Sequence, residues 1–163
     1  MSTPVTPLRP LTERELGAWR GLLRTHGMLV KRLDAELESE HGLPLTSYEV
    51  LLHLSHAPAR RMRMCEVAES VLLSRSGLTR LIDRLERDGF VERVSCADDA
   101  RGAFAQLTDE GLRKLVEAQG THLEGVRAHF LRHFSDAELD FLAEAWSRVA
   151  GVAAQQGPTC SSE

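Results

Sequence analysis

The stretch from Arg61 to Leu107 admits few folds, because its start and stop signals come in a restrictive order. Val67, Ala68 and Val71 mark a short helix near 64–71, followed by a tight turn through Leu72 and Leu73. Met64 occupies the cap position of that helix, where a polar residue is expected. Ser74 then caps a second helix over 75–88, whose buried stripe is Leu78, Leu81, Ile82 and Leu85, and Gly89 ends it. Two β-type runs follow, 90–95 and 103–107, joined by a polar loop over 96–102. Helix, tight turn, helix and hairpin is the order of a winged helix-turn-helix.

The flanks are helical. Thr12-Glu13-Arg14-Glu15 reads as a capping box with Leu11 and Leu16 as a hydrophobic staple. Thr46-Ser47-Tyr48-Glu49 repeats the pattern with Leu45 and Val50, and Ser135-Asp136-Ala137-Glu138 repeats it with Phe134 and Leu139. Thr108 opens another helix with Asp109 and Glu110 in the first turn, where the dipole favours carboxylates. The first helix, 13–40, carries Leu16, Leu23, Val30 and Leu37 at a spacing of seven, a coiled-coil-like seam with Trp19, His26 and Leu33 between. A short helix over 47–56 stops before Pro58. Long helices over 109–132 and 136–155 close the chain. The last bears Leu139, Leu142, Trp146, Val149 and Ala153 on one stripe, with Phe141, Ala145 and Val152 on another. Apolar stripes outside a compact module call for a second contact surface, and a homodimer is the simplest supplier.

The expected fold is therefore mainly α with a small β-hairpin wing, between N- and C-terminal dimerisation helices. An arm and dimerisation helix take 1–45, the winged module 46–107, the C-terminal dimerisation helices 108–155 and a disordered tail 156–163.

Composition removes several classes of function. The 163 residues include 42 % apolar and 27 % charged side chains, ordinary for a globular protein and enough for a core without staples. Cys65, Cys96 and Cys160 are too few and too scattered for a disulfide framework, which fits a reducing, cytoplasmic compartment. No apolar run spans a bilayer, and 1–10, with three prolines, has no leader-like core. No nucleophile elbow, P-loop, zinc-protease or dinucleotide-binding motif occurs, so no enzymatic activity and no cofactor are expected. The net charge of −4 argues against a nonspecific polyanion binder, yet its distribution is uneven. Residues 60–101 hold nine arginines against eight carboxylates, net +1, while the rest of the chain carries −5. Any nucleic-acid reading then rests on a few placed arginines.

Those arginines sit where the helix over 75–88 is solvent-facing. Ser74, Arg75, Ser76, Gly77, Thr79, Arg80, Asp83 and Arg84 occupy its start and exposed face. Arg forks onto guanine O6 and N7, Ser and Thr reach base edges or phosphates, and Gly77 permits close approach. The same face also fits an ordinary solvated helix, but the hairpin downstream, with Arg101 at its tip, favours a DNA reader.

Residues 73–93 (LSRSGLTRLIDRLERDGFVER) resemble the recognition helix and first wing strand of the MarR family. Asp99-Ala100-Arg101-Gly102 is similar to that family's Asp-x-Arg wing, and Leu107-Thr108-Asp109-Glu110-Gly111 to its Leu-Thr-x-x-Gly helix start. The resemblance covers roughly 12–155 and implies a homodimeric transcriptional regulator, in default a repressor, on a pseudo-palindromic operator of double-stranded DNA. It implies that Arg101 enters the flanking minor groove and that Asp83 or Asp99 orients nearby arginines. Family wings often carry Pro at the Ala97 position and a second basic residue at the Ala100 position, so this wing has one strong cation.

The resemblance further implies release of DNA by a small effector, often an anionic aromatic, with Trp19, His26, Met28, Tyr48, His53 and Arg75 as candidate lining residues. Trp19 and His26 also suit core packing. Two alternatives keep the fold but change the signal. His53 with His56 and His129 with His133 have spacings that share a helix face, with His41 nearby, and Cys65 or Cys96 are candidate redox sensors. A third alternative is a winged adaptor that binds protein and not DNA.

Overall fold

The computed structural model describes residues 9–96 and 99–154, with the side chains of 96, 99–102 and 152–154 outside that description. The expected tail over 156–163, Cys160 and most of the N-terminal arm also lie outside it. Helices α1 (Glu13–His41) and α2 (Leu45–His56) come first, then β1 (Arg61–Arg63), α3 (Met64–Ser70) and α4 (Arg75–Arg87). Strands β2 (Val91–Cys96) and β3 (Asp99–Leu107) follow, then α5 (Asp109–His129) and α6 (Asp136–Ala154), with single 3-10 turns at Pro58–Arg60 and Leu131–His133. The strands form an antiparallel sheet in the order β1-β3-β2, so the architecture is a mainly helical winged helix-turn-helix.

Three differences from the sequence reading have local physical causes. First, the box over Thr46–Glu49 does not form. α2 starts at Leu45 behind Pro44, and its first N–H donates to Asp34 Oδ1 of α1 at 2.8 Å, so a carboxylate from another helix supplies the cap. Second, Met64 is not a cap residue. Arg63 is, and its N–H donates to Glu66 Oε2 at 2.9 Å. Third, β1 is a strand of only three residues, too short to show alternation, and β3 begins at Asp99 within what reads as a polar loop. The boxes at α1 and α6 do form in part or whole: Thr12 and Glu15 cap reciprocally, and Ser135 N donates to Glu138 Oε2 at 2.8 Å.

The core lies where α2, α3, α4, the sheet and α5 meet. Leu51, Leu54, Val67, Leu78, Ile82, Leu85, Val91, Ala105 and Leu107 are all buried there, with Tyr48 and Leu37 beside them. Each fully buried Leu or Ile contributes about 1.5–3 kcal/mol, and this module concentrates them. Of the seven-spaced seam on α1 only Leu37 is buried; Leu23 is 53 % and Val30 39 % exposed. The C-terminal end of α1 packs instead on α5, so closely that a Cβ on Gly125 would stand 2.7 Å from Leu33 Cδ2.

The junction from α4 through the wing into α5 is held by backbone and one hydroxyl. Gly89, at φ +78°, turns the chain after α4. Thr108 N donates to Phe90 O at 3.1 Å, and Thr108 Oγ1 donates to Gly89 O at 2.7 Å while accepting from Gly111 N at 3.0 Å. A Cβ on Gly111 would lie 2.1 Å from Phe90 O, so the Leu-Thr-x-x-Gly pattern encodes a contact between two backbones. No helix among the described residues is long and apolar enough to cross a membrane.

Candidate nucleic-acid interface

Among the long helices described, α4 divides most sharply into a buried and an exposed face. Ser74 Oγ accepts from Gly77 N at 3.2 Å, and Leu78, Leu81, Ile82 and Leu85 anchor the inner face in the core. On the outer face Arg75, Ser76, Thr79 and Arg80 are exposed. Thr79 Oγ1 donates back to Arg75 O at 2.9 Å, and Ser74 and Ser76 hydroxyls lie 3.3 Å apart. The guanidiniums of Arg75 and Arg80 make no hydrogen bond or ion pair among the described residues. Their guanidiniums are held by a rigid helix and left for something outside the chain.

Arg84 is different. Its Nη2 donates to the buried Ser47 hydroxyl at 3.2 Å, tying α4 to the start of α2. Sequence patterning placed Arg84 on the exposed face with Arg80; the structure makes it in part a strut. Between them a shallow open depression of about 250 Å³ is lined by Thr46, Leu73, Gly77, Arg80, Leu81 and Arg84.

The wing is clamped to this helix by Arg93, which sequence reading passed over as part of a strand. Its guanidinium is ion-paired to both Asp83 and Glu86 of α4, and its backbone N–H donates to Glu86 Oε1 at 3.2 Å. Partial burial works against the charge, but the two carboxylates outweigh it and push the guanidinium pKa up. Asp83 thus orients an arginine, and that arginine is Arg93. The side chains of Asp99 and Arg101 lie outside the described residues; their backbone belongs to β3, with Cys96 paired to Asp99.

The outer face of the sheet holds a second basic group. Register pairs Arg63 with Phe104 and Arg61 with Gln106, and the guanidinium carbons of Arg61 and Arg63 stand 5.6 and 5.4 Å from the Phe104 ring centre. Arg60-Arg61-Met62-Arg63 was visible as charge, but without β1 nothing placed it.

The candidate effector residues separate into two environments. Tyr48 is buried, its ring centre 4.5 Å from that of His122, and burial pushes its phenol pKa up. His26 of α1 and His53 of α2 both act on Glu49, whose carboxyl burial pushes up while the two imidazoles pull it down. Trp19 and Met28 are exposed on α1, and Arg75 lies on α4. Two of the candidate histidines have other partners. His129 Nε2 lies 2.6 Å from Glu36 Oε1, His41 Nε2 lies 2.8 Å from Thr121 Oγ1, and no cluster of three ligands occurs among the described residues. Cys65 is half-buried on α3, while the Cys96 side chain is outside the described residues.

Known proteins share this fold. The model of the MarR family matches residues 41–102, which span the last residue of α1 through the wing. The structure of Sco3205, a MarR family transcriptional regulator from Streptomyces coelicolor in complex with DNA, is 35 % identical with TM-score 0.83, over 88 % of this chain and 90 % of that one. The chain belongs to the MarR family. AbsC, a MarR family transcriptional regulator from the same organism, is 34 % identical with TM-score 0.84, over 91 % of this chain and 99 % of that one. The transcriptional repressor YetL of Bacillus subtilis is 30 % identical over 103 residues, 63 % of this chain and 61 % of that protein. This MarR-family member is a transcriptional regulator and not an enzyme. Its fold follows AbsC and Sco3205 along nearly their whole length.

Proposed function

We propose that this MarR-family regulator binds a pseudo-palindromic DNA operator as a homodimer and represses transcription from it. Helix α4 of each copy enters a major groove, with Ser74, Ser76 and Thr79 near the backbone and base edges and Gly77 allowing close approach. Arg75 and Arg80 supply the base-reading forks, Arg84 a phosphate contact through the donors Ser47 leaves free, and Arg101, oriented by Asp99, the minor-groove contact. The observation that carries the reading is the pair Arg75 and Arg80: exposed, without partners among the described residues, and fixed on a helix whose other face is buried. Sco3205, similar over most of this chain, is a DNA-bound protein, and YetL is a repressor.

The second copy is argued from what the terminal helices expose. Trp19, Leu22, Leu23 and Val30 on α1, and Phe141, Trp146 and Val149 on α6, are 38–63 % exposed in the single chain. Apolar surface on that scale marks an interface. An isologous dimer covers it and doubles the reading head. The effector we infer is a small aromatic anion at the junction of α1 and α2, where His26 and His53 act on Glu49, with exposed Trp19 two turns earlier on α1. An anion bound there draws the two imidazoles together and shifts α1 against the DNA-reading module.

Selection of bound fragments from genomic DNA, followed by footprinting, tests the reading. The expected result is a protected site with two half-sites about 34 Å apart, one helical turn. Recovery of no enriched sequence would remove it. Small aromatic carboxylates titrated into the complex are then expected to release the duplex from wild type and less from His53→Ala.

A further inference from the structure

We propose that Leu72, in the tight turn between α3 and α4, is a DNA contact. Its side chain packs on an apolar edge of the duplex, a thymine methyl or a deoxyribose, when α4 enters the groove. This rests on the DNA-binding reading and adds a residue which that reading does not use. α3 ends in a two-bond cap, in which Leu72 N donates to Glu69 O at 3.3 Å and Leu73 N to Ala68 O at 3.0 Å. α4 ends in the same pattern, with Gly89 N donating to Glu86 O at 3.1 Å and Phe90 N to Leu85 O at 2.9 Å. Such a cap places one residue in the left-handed conformation, which glycine prefers because it has no β carbon to crowd the following carbonyl. Gly89 fills that position after α4 at φ +78°, and Gly42 turns the chain after α1 at φ +61°. After α3 the position is held by Leu72, at φ +54°.

The folded chain gains nothing from this leucine. The apolar contact that accompanies such a cap is made by Leu73, which packs against the core. Leu72 is 92 % exposed, more than any other large hydrophobic side chain described. Single exposed leucines are ordinary on a protein surface. A leucine that is both exposed and held in a glycine conformation has neither packing nor backbone geometry in its favour. Its place in the chain points to what covers it. In this class of reader the helix before the turn crosses the phosphate backbone, and the first residues of the helix after it meet base edges, so the turn lies between the two. Ser74, the cap of α4, is two residues on, and Arg75 and Ser76 come next, both exposed. The duplex offers apolar partners there, in the C5 methyl of thymine and the sugars beside the phosphates. A turn fixed by two main-chain hydrogen bonds also presents the side chain with little backbone freedom left to lose on binding.

Fluorescence anisotropy on the duplex recovered by genomic selection, with thermal melts of the same proteins, tests it on Leu72→Gly, Leu72→Asn and Leu72→Met. Gly and Asn both suit the left-handed turn, so these variants are expected to match or exceed the wild-type Tm while losing operator affinity by at least about fivefold. Leu72→Met keeps an apolar side chain of similar volume and is expected to stay within about twofold of wild type. Duplexes carrying deoxyuridine for thymine at single positions separate the two apolar partners. A loss of about fourfold for wild type at one position of each half-site, absent in Leu72→Gly, identifies a methyl; no such position identifies a sugar. Wild-type affinity in the Gly and Asn variants overturns the contact alone, and if transcription from the operator changes nonetheless, Leu72 meets a protein instead. A Tm below wild type in both variants makes Leu72 a structural residue and overturns the contact as well, as does a Met variant as weak as the Gly one. A wild type that binds no duplex overturns the DNA reading and the contact with it.

Discussion

Arg93 of the wing strand donates through Nη2 to Asp83 of the reading helix at 2.5 Å, while its Nη1 engages Glu86 one turn further along. One guanidinium thereby fixes the angle between the two parts that are proposed to enter adjacent grooves. A planar fork suits two carboxylates on one helix face; an ammonium does not. Arg93→Ala and Arg93→Lys are both expected to lower operator affinity at least fivefold, through the angle between helix and wing. The stability cost is about 1 kcal/mol, or roughly 2–4 °C in Tm for a chain of this size. Equal affinity in the Lys variant and wild type would show that charge alone matters here and that the fork geometry does not.

Arg80 and Arg84 lie one turn apart on α4 and are expected to fail differently. Arg80 has no partner among the described residues, so Arg80→Ala is expected to reduce DNA affinity tenfold or more with Tm unchanged. Arg84 holds the buried Ser47 hydroxyl at 3.2 Å, so Arg84→Ala is expected to cost about 1 kcal/mol of stability, with a smaller loss of affinity. Urea melts and anisotropy on the same four proteins, including the double variant, separate the two roles. An Arg84→Ala protein as stable as wild type would return Arg84 to the purely DNA-facing set.

Gly111 tests the backbone junction between wing and α5. A Cβ there meets Phe90 O at 2.1 Å, far inside contact, and backbone on both sides leaves little room to yield. Gly111→Ala is expected to destabilise by about 1–3 kcal/mol in urea unfolding. Gly120→Ala, on the same helix with nothing within 4 Å, is expected to be neutral or slightly stabilising. Reversal of that order would mean the junction relaxes.

Acid sensitivity is expected from His122. Its Nδ1 is buried with no hydrogen-bond partner among the described residues, and burial holds its pKa below the ordinary 6.5. The unfolded chain therefore takes up a proton near 6.5 that the folded chain resists, and stability falls as pH drops below that value. Glu49 works the other way. Burial raises its pKa above 4.5, so folding gains from its protonation as pH falls toward that range. Stability of His122→Phe measured from pH 7.5 to 5 is expected to fall less steeply than wild type. Parallel curves would mean the His122 ring titrates as it does in water.

What the sequence shows and hides follows from the range of the forces involved. The caps at Thr12, Ser74 and Thr108 are contacts within three residues, so their spacing exposes them before any folding argument is made. The same logic misled at Thr46, because Asp34, eleven residues from Leu45, supplies the cap across two helices. The α4 stripe was legible since 3.6-residue periodicity separates buried from exposed positions. Arg93, Arg61 and Arg63 were not, because their partners are set by strand register, and a three-residue strand has no period to read. Arg84 shows the remaining limit: a helical wheel gives its direction but not that Ser47 stands in reach.

The apolar faces of α1 and α6 carry the last prediction. Leu23 and Trp19 are each 53 % exposed on α1, and Trp146 on α6 is 43 % exposed, while the single chain buries the module between them well. Full burial of such side chains contributes about 1.5–3 kcal/mol each, so several together suffice for association at micromolar concentration. Sedimentation equilibrium is expected to give about twice the chain mass of 18.1 kDa for wild type. Leu23→Asp with Trp146→Asp places desolvated carboxylates in that contact and is expected to give monomers with native far-UV helicity. Those monomers are expected to lose operator affinity by far more than tenfold, because one reading head keeps only half the contacts. A wild-type protein sedimenting at a single chain mass at micromolar concentration would leave the α1 and α6 faces without their partner and remove the dimer from the proposed function.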